Sequence, residues 1–121
     1  MADNKTSVSL DKMIQPVLLL QIYKKPSHGY ELIQNFNYFD PADLVEPATI
    51  YRNLRRMENE GLIQSHWETS ESGPARRQYQ ITDAGLEALK ETVMRLAQQK
   101  HQIDEFIKTY QALQERGRAN Q

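Results

Sequence analysis

The 121-residue chain contains no cysteine, which excludes a disulfide framework and any zinc site built on thiolates. It has no apolar run near the ~20 residues needed to cross a bilayer, so no membrane partner is expected. The opening MADNKTSVSLDK has no signal-peptide core, and a soluble, cytoplasmic protein is the expectation. A dominant charge is also missing, since 15 Lys and Arg face 16 Asp and Glu for a formal net charge of -1. Proteins that coat nucleic acid do so by neutralising phosphate with bulk positive charge, so that class is excluded and any such binding must be local. Catalytic constellations are absent as well. His28, His66 and His101 fall in three different elements, with no HExxH, no phosphate-cradling glycine loop and no nucleophile beside them. The expectation is no enzyme, no metal and no cofactor. The length supports one modest core and leaves no room for a separate effector domain.

The most informative stretch present is Glu46 to Gly61, EPATIYRNLRRMENEG. Pro47 suits the first helical position and Gly61 the left-handed residue that closes a helix. At 100° per residue Ile50, Leu54 and Met57 gather on one side. Ala48, Arg52, Arg55, Arg56 and Asn59 lie opposite, with Thr49 and Tyr51 on the flanks. One face packs and the other is free to touch nucleic acid, although an ordinary surface helix has the same pattern, with Glu58 and Glu60 partly offsetting the arginines.

The residues immediately downstream separate those readings. Leu62 to Glu68 (LIQSHWE) alternates like a strand, with Ile63 and Trp67 on one face and Gln64, His66 and Glu68 on the other. Thr69 to Pro74 reads as a turn with a rigid Gly73-Pro74 corner, and Arg76 to Ile81 alternates again with Tyr79 and Ile81 pointing one way. Helix, strand, polar loop, strand is the order of a winged helix.

The segments ATIYRNLRRMENEGLI and GPARRQYQITDAG, with HGYEL at residues 28–32, resemble the PadR-like family of bacterial transcription regulators. The resemblance covers the chain from about Leu10 to the C-terminal helix. It implies a winged helix-turn-helix, homodimerisation through the C-terminal helix and a roughly palindromic operator in double-stranded DNA. It also implies a repressor released by a small effector at or near the dimer interface. WETSESGPARRQYQIT is similar to the polyhydroxybutyrate-responsive branch of that family, and other relatives answer to phenolic acids or hydrophobic drugs. By the same resemblance Thr49, Tyr51, Arg52 and Arg55 belong to the recognition helix and Arg76 and Arg77 to the wing. Ala48 and Asn53 depart from the family's pattern, the first often Gly or Ser and the second often small and apolar. On chemistry, Arg52 or Arg55 suits guanine, whereas Tyr51, Arg56 and the amides near Ser27 suit phosphate.

Upstream, Met13 to Tyr23 (MIQPVLLLQIY) is apolar on almost all sides and reads as a buried helix that Pro16 either starts or kinks. Ser27 offers an N-cap for a second helix through Phe36. The connection from Asn37 to Glu46 is about ten residues, long for a helix-turn-helix. Asp40-Pro41 gives it turn chemistry, while Tyr38, Phe39, Leu44 and Val45 either pin it to the core or line a pocket.

Thr82 is placed to cap a long final helix. Leu86, Leu89, Val93, Leu96, Ile103, Ile107 and Tyr110 keep alternating three- and four-residue spacing, broken only by Lys100. A continuous helix from Asp83 to Leu113 would be ~46 Å long, against a radius of gyration of ~14 Å for a compact chain of this size. An apolar stripe of that length needs a second copy, unless the helix breaks near Gln98 to His101 and folds back.

The sequence thus predicts a mainly α chain with a small β-hairpin: a winged helix-turn-helix over residues 9–82, a dimerisation helix over 83–115, and flexible tails at 1–8 and 116–121. The function expected is sequence-specific DNA binding as a homodimer under a possible small-molecule effector. A winged helix used only for protein contact is the rival, and the polar arginine face favours DNA over it.

Overall fold

IQPVLLLQIYK is dense enough in aliphatic side chains to demand burial, and Ile14–Lys24 forms α1 with Ile14, Val17, Leu18, Leu19 and Ile22 in the core. Pro16 falls in the first turn, where backbone donors have no intrahelical acceptor, so the helix starts around it without a kink. Burial is not all-round as expected, because Leu20 and Tyr23 are more than half exposed. The computed structural model describes residues 13–39, 45–70 and 73–120. The tail expected at 1–8, the Asp40-Pro41 turn and the side chains of Tyr38, Phe39 and Leu44 lie outside the described residues.

Ser27 does not cap the second helix. It lies in a two-residue strand, β1 (Ser27–His28), is buried, and donates its hydroxyl to the Lys25 carbonyl at 2.8 Å. α2 (Gly29–Phe39) is capped through His28, whose backbone N–H donates to Glu31 Oε1 at 2.9 Å. This is the glutamate half of a capping box, in which the third helical residue reaches back to the N-cap amide. α2 also runs past Phe36, so the connection to α3 (Pro47–Asn59) shortens to residues 40–46. Val45 packs against the core, and its N–H donates to Asn37 Oδ1 at 3.0 Å.

α3 has the ends the sequence assigns to it. Pro47 opens it, and Gly61 closes it at φ +79. The Gly61 N–H donates to the Glu58 carbonyl at 3.0 Å and the Leu62 N–H to the Met57 carbonyl at 2.9 Å, the paired bonds of a Schellman closure. A side chain at this left-handed residue is strained, so Gly61→Ala should cost about 1 kcal/mol. Urea denaturation checks this, with a lower midpoint at unchanged slope as the expected result. An unchanged midpoint would mean that the closure contributes nothing to how α3 ends.

β2 (Ile63–Ser70) and β3 (Gly73–Ile81) form an antiparallel hairpin in register from Ile63 opposite Ile81 to Glu68 opposite Arg76. The strands are longer than their alternation suggests. Gly73 lies opposite Ser70 inside the hairpin, so Gly73-Pro74 is not its corner; an irregularity between Glu68 and Ser70 accommodates the stretch in which Pro74 lacks a donor. β1 adds a third strand on the other edge of β3, pairing Ser27 with Tyr79 and His28 with Gln78. The small hairpin expected from sequence is present, and β1 extends it to a three-stranded antiparallel sheet beside three helices, a winged helix.

Thr82 caps α4 (Asp83–Ala119): the Gly85 N–H donates to Thr82 Oγ1 at 3.0 Å, and that hydroxyl donates to the Gly61 carbonyl at 2.6 Å. α4 is one helix of 37 residues, ~55 Å at 1.5 Å per residue. It passes through Gln98 to His101 unbroken and takes in residues 116–119, where the sequence predicts a tail. Contacts divide the chain into residues 1–89 and 90–121 rather than at Thr82, because Gly85 and Leu89 are buried with the winged helix. From Lys90 to Asn120 only Thr92 and Leu96 are even partly covered. Among the described residues no helix is long and apolar enough to cross a membrane.

Candidate nucleic-acid interface

α3 divides as its sequence demands. Ile50, Leu54 and Met57 are completely covered, while Ala48, Arg52, Arg55, Arg56 and Asn59 are exposed and Thr49 is half-buried. Arg52, Asn53, Arg55, Arg56 and Asn59 line a cleft of about 240 Å³. Arg52 Nη2 donates to Thr49 Oγ1 at 3.2 Å, an i, i+3 contact that rests the guanidinium along the exposed face. Asn53 has a structural task. Its Nδ2 donates to the Thr49 carbonyl at 2.8 Å, and its Oδ1 accepts from Gln15 Nε2 of α1 at 3.4 Å. Glu58 is turned toward β2, where its Oε2 accepts both the N–H of Ser65 at 3.2 Å and its hydroxyl at 2.6 Å.

Tyr51, on the flank of α3, closes against the start of α2. A Cβ at Gly29 would lie 2.7 Å from Tyr51 Cε1, so only glycine lets the ring approach so near. Tyr51, Gly29, His28, Tyr30, Tyr79, Arg76 and Arg77 surround a cavity of about 400 Å³. Tyr51 of α3 and both arginines of β3 thus share one concave surface. Burial raises the Tyr79 phenol above its usual value, against the opposing effect of the Arg77 guanidinium.

The wing departs from expectation at Trp67. It stands on the same side as Ile63, yet it is 62% exposed, because the hairpin continues beyond the edge of the core while its alternation persists. Arg77, directly opposite on β3, places its guanidinium carbon 5.0 Å from the indole centroid. A cation over an indole face is a favourable stack, so Trp67 supports an arginine instead of packing inward.

The amide that follows Ser27 is not open for phosphate. The His28 N–H is taken by Glu31, and that bond lowers the Glu31 carboxyl below its usual value against the opposing effect of burial. A depressed carboxyl stabilises the cap above the ordinary carboxylate range, and the contribution disappears as acid titrates Glu31. His28 has its own contacts, with Nδ1 3.0 Å from Glu31 Oε1 and Nε2 2.9 Å from Glu68 Oε1.

Of the residues assigned to the final helix's seam, Leu89 is buried in the core of its own chain and Leu86 is half-buried in the same unit. Val93, Ile103, Ile107 and Tyr110 are exposed and Leu96 is partly so. Phe106, at 77%, is the most exposed large apolar side chain among the described residues, and Leu113 lies along the same side. Strict heptad spacing misses both, although at 100° per residue they fall about 60° and 80° from Ile103. The roles of Asn53, Gly29 and the His28 bridge are also invisible in the sequence, because each depends on residues roughly 20 to 40 positions away.

The Transcriptional regulator PadR-like family model matches residues 18–91, a span that includes α3, the wing and the start of α4. A PadR-like transcriptional regulator from Bacillus cereus is 31% identical, with a TM-score of 0.74 over 84% of this chain and 97% of its own. A putative transcriptional regulator from Thermoplasma acidophilum is 28% identical, with a TM-score of 0.69 over 82% and 94%. A PadR-like transcription factor from Bacteroides fragilis is 25% identical, with a TM-score of 0.69 over 86% and 99%. No curated protein matches the chain.

Proposed function

Since the chain belongs to the PadR-like family of transcriptional regulators, whose members bind DNA and are not enzymes, we propose that it is a cytoplasmic repressor that binds an inverted-repeat operator as a homodimer. A small effector releases it. The observation that carries this reading is the division of α3, whose apolar face is wholly covered while Arg52, Arg55, Arg56 and Asn59 are exposed to solvent. Arginine and asparagine are the side chains that read guanine and adenine in the major groove, and Arg76 and Arg77 supply the phosphate or minor-groove contact of the wing.

The homodimer draws support from the exposed stripe of α4. Val93, Ile103, Phe106, Ile107, Tyr110 and Leu113 present more apolar surface than a solvent-facing helix sustains alone. Two recognition helices related by a two-fold axis then enter successive major grooves about 34 Å apart.

Selection of bound duplexes from a random library, followed by anisotropy titration across a salt series, tests the proposal. The expected winner is an inverted repeat with half-sites one helical turn apart. Arg52→Ala should weaken it by about 1–3 kcal/mol per half-site, with thermal stability within about 0.5 kcal/mol of the parent because the side chain is exposed. Failure to enrich any duplex, with or without cell extract, would sink the DNA reading in favour of protein contact. Release of the enriched duplex by small molecules then screens for the effector.

A further inference from the structure

Glu68 and Arg76 stand directly opposite each other on β2 and β3. Residues so placed have Cβ atoms about 5 Å apart, and opposite charges there attract. An ion pair at this position would cancel half of the wing's positive charge. The Glu68 carboxylate goes elsewhere, to His28 Nε2 at 2.9 Å. The other ring nitrogen lies 3.0 Å from Glu31 Oε1, and the same oxygen accepts the His28 backbone N–H. The imidazole therefore lies between two carboxylates, Glu31 on the α2 cap and Glu68 on the wing; a neutral ring with its proton on Nε2 donates to Glu68, and the imidazolium donates to both. Among the described residues Arg76 forms no ion pair, and it lines the concave surface shared with Tyr51 and Arg77.

We propose that His28 is a positioning residue of the DNA interface: by binding Glu68 it keeps Arg76 unpaired and available to a phosphate. The inference rests on the DNA-binding reading above. It gives the histidine a task that an N-cap alone does not require, since the capping bond uses only its backbone. Removal of the ring frees Glu68 to pair with Arg76 across the strands. The damage to DNA binding then comes from the carboxylate that Arg76 acquires, not from any touch of the imidazole on DNA, so deleting that carboxylate reverses it.

The test compares the parent, His28→Ala, Glu68→Gln and the double variant on the selected duplex across a salt series. His28→Ala should weaken binding about 5-fold and reduce the magnitude of the salt slope by about 1 per half-site, about 2 for the dimer on its operator, the signature of one phosphate fewer neutralised by each protomer. Adding Glu68→Gln should restore affinity to within about 2-fold and return the slope. Glu68→Gln alone should bind as well as the parent or better. A purely structural role for His28 is not relieved by Glu68→Gln, so a double variant as weak as His28→Ala overturns the proposal. If His28→Ala fails to fold, His28→Gln keeps a donor for Glu68 and should bind like the parent; a 5-fold loss there overturns it equally. The Arg76 Nε–H resonance of the free protein gives a readout independent of DNA. It should shift in His28→Ala and return in the double variant, whereas an unmoved resonance refutes the pairing. If the parent selects no duplex, the DNA reading fails while this resonance still decides whether His28 withholds Glu68.

Discussion

Ile103→Asp should convert the proposed dimer to a monomer in sedimentation and reduce binding to the selected duplex by more than about 100-fold. In the single chain Ile103 is half exposed, so an aspartate there meets water and leaves the chain's own fold nearly untouched. In a dimer joined along α4 the same position is covered, and an uncompensated buried carboxylate costs about 3–5 kcal/mol, incurred on both chains of a symmetric interface. Operator binding falls with it, because each half-site is held weakly and the second binding event depends on the first through the linkage. Gln98→Asp is the control. It lies roughly opposite the Ile103 side of α4 at 100° per residue and should stay dimeric. An Ile103→Asp protein that sediments as a dimer would show that α4 is not the interface, whatever its stripe suggests.

That stripe is legible in the sequence because it repeats, and repetition along one helix needs no knowledge of the rest of the fold. α3 is legible for a similar reason. Pro47, Gly61 and the spacing of Ile50, Leu54 and Met57 are local signals, and the structure places each where those signals put it. Sequence reasoning fails where a residue's role is set by a distant partner. β1 consists of only two residues and exists because Tyr79 and Gln78 pair with them. Serine is a good capping side chain, which points to Ser27 at the start of α2, but Glu31 performs the task by reaching back to His28. Alternation puts Trp67 on the side of Ile63, and alternation cannot tell where a hairpin leaves the core behind. Leu89 fits the heptad spacing equally well as a seam residue or a core residue, and burial in its own chain decides it.

Gly85→Ala should lower stability by about 2–4 kcal/mol, although alanine is the better helix former and the position lies in the first turn of α4. A Cβ there would collide with the Leu62 carbonyl oxygen and come within 2.7 Å of Ile81 Cγ1. The carbonyl cannot move aside freely, because it accepts the Thr82 N–H at 3.1 Å. Thr82 in turn donates its hydroxyl to the Gly61 carbonyl and accepts the Gly85 N–H, so the exit of α3, the base of the wing and the start of α4 are tied in one knot of short bonds. Relief of the overlap must lengthen at least one of them, and overpacking against fixed backbone lies at the upper end of its usual cost. Gly117 supplies the opposite sign. It lies in the same helix with open space around it, so Gly117→Ala should raise stability by up to about 1 kcal/mol through helix propensity alone. Thermal melting of both variants at one protein concentration checks the pair, since a dimer's midpoint depends on concentration. Gly85→Ala melting at or above the parent would mean that Leu62 and Ile81 yield freely, and that close packing at the start of α4 is not what holds it against the wing.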